Sequence, residues 1–193
     1  MIDWEAKYVA NEAHWDRGAV APPLAEEWGR CPLAGRVLMP GFGPGHDLAW
    51  LADRGCDVVG IDIAPTAVAL AQRNYPQHAE RFLEADLFDL PSEWRGQFDG
   101  VVEHTCLSGM PPELRLRYRD AVKAVLKPGG LLLGVWFIDP DLDPGYEGSP
   151  FPLPLADLDA LFADDFEIVS DCIPQAAFEG REGRERVRVL RRR

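Results

Sequence analysis

From about residue 35 the chain alternates short apolar runs with stretches of helical period, the pattern of an α/β fold on a mainly parallel sheet. Arg36-Val37-Leu38-Met39 reads as the first strand. A helix is predicted over 47–54 with Leu48 and Leu51 inward, then a second strand over 57–62. Pro65 suits the first turn of the next helix. Strands are predicted over 81–84 and 98–102, and a helix over about 112–126 that Lys127-Pro128-Gly129-Gly130 stops. The run over 131–138 is apolar throughout, as in a strand buried on both faces. A loop over 139–154, rich in Pro, Gly and Asp, is long enough to serve as a lid. A short helix over 155–162 and strands over 166–172 and 184–190 complete the pattern. The expectation is a single doubly wound domain over 1–193 with seven strands, the last antiparallel. Residues 1–30 stand apart, with three of the six tryptophans, Trp4, Trp15 and Trp28, ahead of the sheet. They either cover a site or pack N-terminal helices onto the sheet.

Charge narrows the partners. The net charge of −12 argues against general affinity for nucleic acid or an anionic membrane. Yet seven arginines fall in the last thirteen residues, beside Glu182 and Glu185. Such a segment is either a nucleic-acid tail or a final edge strand protected by solvated arginines. No apolar run approaches the ~20 residues that span a bilayer. The start, Met1-Ile2-Asp3-Trp4-Glu5, is acidic where a secretory signal is basic. Cys31, Cys56, Cys106 and Cys172 are scattered, as free thiols in a reducing cytoplasm would be. His14, His46, His78 and His104 lack ligand spacing, so no metal site is expected.

The chemistry starts at Gly41-Phe42-Gly43-Pro44-Gly45, between a strand and a helix. Glycines there let the backbone approach a nucleotide-like ligand, and the following helix start offers free N–H groups. A dinucleotide fingerprint would place its third glycine where His46 stands. The actual spacing suits a nucleoside carrying an amino-acid tail. Asp62, at the end of the second strand, is placed to accept from ribose hydroxyls. Asp86 follows the third strand, where it can meet an adenine amino group between apolar walls from Ile63 and Leu87. S-adenosylmethionine is the cofactor this set of positions implies. No Tyr-x-x-x-Lys pair supports a nicotinamide oxidoreductase.

At these residues the chain resembles the thiopurine S-methyltransferase family of class I methyltransferases, particularly its thiol and halide branch. Leu38-Met39-Pro40-Gly41-Phe42-Gly43-Pro44-Gly45-His46-Asp47 is similar to that branch's cofactor loop, with the preceding Pro and the following His-Asp as its specific parts. Trp4-Glu5-Ala6-Lys7-Tyr8 and Trp15-Asp16-Arg17-Gly18 resemble its N-terminal aromatic stretches. The resemblance implies a helical lid in which Trp4 and Trp15 contact the cofactor and Tyr8 faces the substrate. Residues 112–118 resemble an element near the active site, with Arg115 as an attractor for an anionic acceptor. Gly148-Ser149-Pro150-Phe151 resembles the loop lining the substrate side, which marks Phe151. The stretch Glu103-His104-Thr105-Cys106-Leu107-Ser108-Gly109-Met110 departs from the family's aromatic pattern.

The expected reaction is methyl transfer to a small thiol, hydrosulfide, halide or thiopurine-like acceptor. A thiolate or halide already bears its charge, so alignment supplies most of the catalysis. His104 is either a base for a thiol, its ordinary pKa lying near physiological pH, or a hydrogen-bonded strand-end histidine. Glu103 is a candidate partner for the cofactor's ammonium. Transfer to nitrogen or oxygen of a small metabolite stays open, as does a non-catalytic cofactor-binding module. A cytoplasmic monomer is expected.

Overall fold

Runs such as Val37-Leu38-Met39 and Leu131-Leu132-Leu133 can lose both faces to the core only inside a sheet covered by helices. The computed structural model, which describes every residue except Met1, Pro144 and Glu147, has that architecture. In chain order the elements are α1 (Trp4–Val9), α2 (Pro22–Arg30), β1 (Arg36–Pro40), α3 (His46–Ala52), β2 (Asp57–Asp62), α4 (Pro65–Asn74) and β3 (Phe82–Glu84). Then come β4 (Phe98–His104), α5 (Cys106–Gly109), α6 (Arg115–Val125), β5 (Leu126–Phe137), α7 (Leu155–Phe162), β6 (Phe166–Cys172) and β7 (Glu185–Arg192). Strand order is β3-β2-β1-β4-β5-β7-β6, parallel from β3 to β5, with β7 antiparallel to both its neighbours. Alternate residues feed two cores: Val37 and Met39 join α3 and α4 on one face, and Leu38 joins α6 and α7 on the other. The order reverses between β1 and β4, so a ligand crevice is expected at their carboxyl ends.

Most predicted elements stand within two residues of their expected bounds, and the differences bear on function. β4 runs to His104 rather than 102, so Glu103 and His104 belong to the strand. α6 does end at Val125, but Lys127-Pro128-Gly129-Gly130 bulges within β5, between the pairs Phe98↔Leu126 and Gly100↔Leu131.

The expectation of a final edge strand is corrected. β7 lies inside the sheet between β5 and β6, and β6 forms the edge. Arg186, Arg188 and Arg191 pair with carboxylates, and Arg192 donates to the Leu126 carbonyl. Arg188, 3% exposed, pairs with Asp159 at 2.7 Å and Asp171 at 2.9 Å. Arg186 also grips Asp171, at 2.5 Å, and the two guanidinium groups hold that carboxyl down at about 2. Two positions of the 139–154 loop, 144 and 147, lie outside the described residues. No helix among the described residues is long and apolar enough to cross a membrane.

Candidate active site

The glycine loop leaves β1 with its backbone bare for a reason. Gly41 and Gly43 take φ of +64° and +58°, a region most side chains avoid. A Cβ on Gly41 would stand 2.8 Å from the Cys106 sulfur, and one on Gly43 3.1 Å from the Tyr8 hydroxyl. Phe42 turns inward onto Phe82. At the end of β2, Asp62 accepts from Gly43 N and Ala64 N, each at 3.0 Å. Burial raises its pKa against the pull of those N–H groups. Asp62 pairs in register with Glu84, and Ala85 N donates to the Asp62 carbonyl. Ile63 and Asp86 therefore leave the sheet from neighbouring strands. Ile63 is 49% exposed, whereas Leu87 is buried. Asp86 accepts from Phe88 N at 2.8 Å and so caps the turn Leu87–Asp89.

The first helix lies over this loop. Trp4 and Tyr8 each meet Trp15 edge to face, at centroid separations of 5.2 and 5.4 Å. Trp15 Nε1 donates to the Tyr8 hydroxyl, which burial and the Asp62 charge push well above its usual pKa. Three tethers hold the segment down. Glu5 caps α4 through Thr66, His46 bridges Asp16 and Tyr75, and Asp47 accepts from Ala21 N at 2.7 Å. The His46-Asp47 pair after the loop thus fastens residues 16–21 to the body.

At the end of β4 the side chains split to opposite faces. Glu103 is fully buried, and one of its oxygens accepts from Leu107 N at 2.8 Å and from the Tyr118 hydroxyl at 3.3 Å. The other oxygen is buried without a partner, and burial carries the carboxyl up to about 7. Thr105 then turns the chain with φ +57°, which brings Cys106 against Gly41. His104 points the other way. Its Nδ1 meets Asp47 Oδ2 at 2.8 Å, its ring stacks on Phe178, and its buried Nε2 has no partner. Close by, Arg181 and Glu185 form a buried pair at 3.1 Å, with Arg181 over the Phe137 ring. Burial alone would lower the His104 pKa, but Asp47, with help from Glu185, raises it.

The remaining site candidates are placed as follows. Phe151 is fixed through its backbone N, which donates to Ser108 O at 2.7 Å. A Cβ on Gly109 would stand 3.4 Å from Trp4 and 3.7 Å from Ser149 Oγ, so α5, the lid and this loop adjoin. Arg115 is 8% exposed and donates to the Pro152 carbonyl at 2.6 Å, with Asp157 at 3.7 Å. It holds the loop to α6. Phe178, Arg181 and Glu185 escaped the sequence reading because nothing in their spacing ties them to β4. Asp47 was read only as part of a motif. Among the described residues no group of three or more His, Cys, Asp or Glu side chains is arranged for a metal ion.

The residues fit an S-adenosylmethionine molecule. The bare loop lets Cys106 and the lid's Tyr8 close onto its backbone, Asp62 ends β2 as a ribose acceptor should, and the orphaned Glu103 oxygen suits an ammonium. Comparison with known proteins agrees. A probable thiol methyltransferase from Arabidopsis thaliana is 30% identical, covering 95% of this chain and 82% of that one. A thiopurine S-methyltransferase from Nitrosospira multiformis is 28% identical, covering 82% and 79%. The fold matches that of a Burkholderia thailandensis 1,6-didemethyltoxoflavin-N1-methyltransferase with bound S-adenosylhomocysteine, at TM-score 0.73, 23% identity, and 98% and 85% coverage. The family model described as thiopurine S-methyltransferase matches residues 2–192, and the chain belongs to that family of methyltransferases.

Proposed function

We propose that this protein transfers the methyl group of S-adenosylmethionine to the sulfur of a small thiol, hydrosulfide or thiopurine-like acceptor, or to a halide. The observation that carries this reading is the aromatic lid tethered over the glycine loop, with α5 and the loop at Ser149 adjoining Trp4 and with His104 stacked on Phe178 at the end of β4. Family membership over nearly the whole chain supports it.

The cofactor supplies a methyl group on a sulfonium, ready for in-line displacement. This chain's residues supply the rest. The loop from Gly41 to Gly43 and Asp62 hold the nucleoside, with Ile63, Asp86 and Leu87 around the base. Glu103 faces the ammonium of the amino-acid tail. Trp4, Tyr8 and Trp15 exclude water and press the acceptor toward the methyl, the kind of alignment that supplies roughly 7–11 kcal/mol. His104 accepts the proton of a neutral thiol at Nε2.

The same reading makes the chain a single-domain, cytoplasmic monomer that acts on small molecules and not on nucleic acid. Four free cysteines suit a reducing compartment, and the pairing of Arg186 and Arg188 with Asp171 leaves those arginines little charge for phosphates. A product screen over thiols, hydrosulfide, iodide, thiopurines, amines and carboxylates tests the acceptor. Methylated sulfur or halide products are expected. Turnover of amines or carboxylates alone would overturn the reading.

A further inference from the structure

We propose that Asp47 is a positioning residue for the reaction. It joins the lid to His104 and fixes the imidazole with Nδ1 as donor, so that Nε2 keeps a lone pair toward the acceptor. The inference rests on the role given to His104 above and extends it to a second residue, which acts on the proton transfer through the ring.

Three observations carry it. First, the Asp47 carboxylate is divided between two buried partners. Oδ1 accepts from Ala21 N at 2.7 Å, and Oδ2 lies 2.8 Å from His104 Nδ1. Second, Asp47 is ionised. Burial opposes that state, but the charge and hydrogen bond of His104 and the Ala21 N–H hold the carboxyl below its usual pKa. An ionised carboxylate has no proton to give, so Nδ1 must donate. In the neutral ring the lone pair then sits on Nε2. Third, that Nε2 is buried and unpartnered, which a native structure rarely tolerates without a role. Phe178 stacks on one face of the ring, and Glu185 and Arg181 are the other charged groups near it.

The position of Asp47 adds a second consequence. It stands in the first turn of α3, directly after the glycine loop, and Ala21 closes the lid segment before α2. One carboxylate therefore spans the cofactor loop, the lid and the base. When a neutral thiol reacts, its proton passes to Nε2 as the sulfur electron pair forms the new S–CH3 bond. The methyl's bond to the sulfonium breaks with its electrons left on that sulfur, giving neutral S-adenosylhomocysteine. The imidazolium, paired with Asp47, then returns its proton to water.

The test is Asp47→Asn, read in two ways. Nitrogen-15 NMR of the imidazole, assigned with His104→Gln, should show the Nδ1–H tautomer in the wild type and a substantial Nε2–H fraction in the variant. In kinetics over a series of thiols, the loss in kcat/KM should be 10- to 100-fold for weakly acidic alkyl thiols. It should shrink below about threefold for aryl thiols that are already ionised, with S-adenosylhomocysteine affinity within threefold of wild type. His104→Gln leaves the Asp47–Ala21 bond in place and should show the same dependence on thiol acidity. Adding Asp47→Asn to it should cost little more. An unchanged tautomer, or an equal loss across all thiols, overturns the inference. A wild type that methylates no thiol overturns instead the reading of His104 beneath it, whatever the tautomer.

Discussion

Glu5, on the lid helix α1, accepts from both Thr66 N (2.9 Å) and Thr66 Oγ1 (2.6 Å) at the start of α4. A residue 61 positions away thereby caps a helix whose own N-cap, Ala64, has no side chain able to do so. The contact docks the lid onto the body on the Asp62 side of the site.

Replacing Glu5 with Ala should cost about 1 kcal/mol of cap energy. Because the lid is tethered elsewhere by His46 and Asp47, the fold should survive. The expected outcome is S-adenosylhomocysteine binding weakened by roughly fivefold, the equivalent of that energy. Calorimetry of the variant and wild type checks it.

Glu103 makes a pH prediction whose sign is fixed by burial. Its carboxyl is held up to about 7 in the folded protein against 4.5 as the ordinary value. Between those values the unfolded chain loses a proton that the folded chain keeps. Stability from this group is therefore full below about pH 4.5 and falls as pH rises, by about 3 kcal/mol once above 7. Glu103→Gln should remove that decline and be the more stable form at pH 8. If Glu103 meets the ammonium of the cofactor, wild-type affinity for S-adenosylhomocysteine should rise roughly tenfold from pH 6 to 8 as the carboxylate ionises. The Gln variant should show a weaker and flat profile. Thermal melts and calorimetry at both pH values measure these effects.

Arg115 is tied to the loop rather than left open to an anion. Its guanidinium reaches the Pro152 carbonyl at 2.6 Å and is 8% exposed. Arg115→Ala should cost about 2–3 kcal/mol, as loss of a buried charged hydrogen bond does. The 139–154 segment should also be cut faster by protease. A tenfold rise in acceptor KM with an unchanged melting temperature would instead make Arg115 an acceptor contact.

Much of this was legible in the residues. Parallel strands advertise themselves because both faces are buried, so β1, β2 and the apolar part of β5 stand out as unbroken runs. The placing of Gly41, Asp62 and Asp86 at or just past strand ends was legible, because a sequence pattern can mark such places. The place of β7 was not. Arg186-Val187-Arg188-Val189 alternates like a half-exposed edge, and only distant Asp159 and Asp171 make its polar face an interior one. The neighbours of His104 were equally hidden. Asp47 comes from the start of α3, and Phe178 and Arg181 from the segment between β6 and β7; only the folded sheet brings them to His104.

The most direct test of the account is a single-turnover reaction with S-adenosylmethionine carrying a deuterated methyl group, a small thiol as acceptor, and wild-type and Asp62→Ala protein side by side. Mass spectrometry of the product should find the labelled methyl on sulfur with the wild type. The Asp62 variant, stripped of the carboxylate at the end of β2, should give at least tenfold less at the same cofactor concentration. Equal yields from the two proteins, or label appearing only on nitrogen or oxygen of other acceptors, would contradict it.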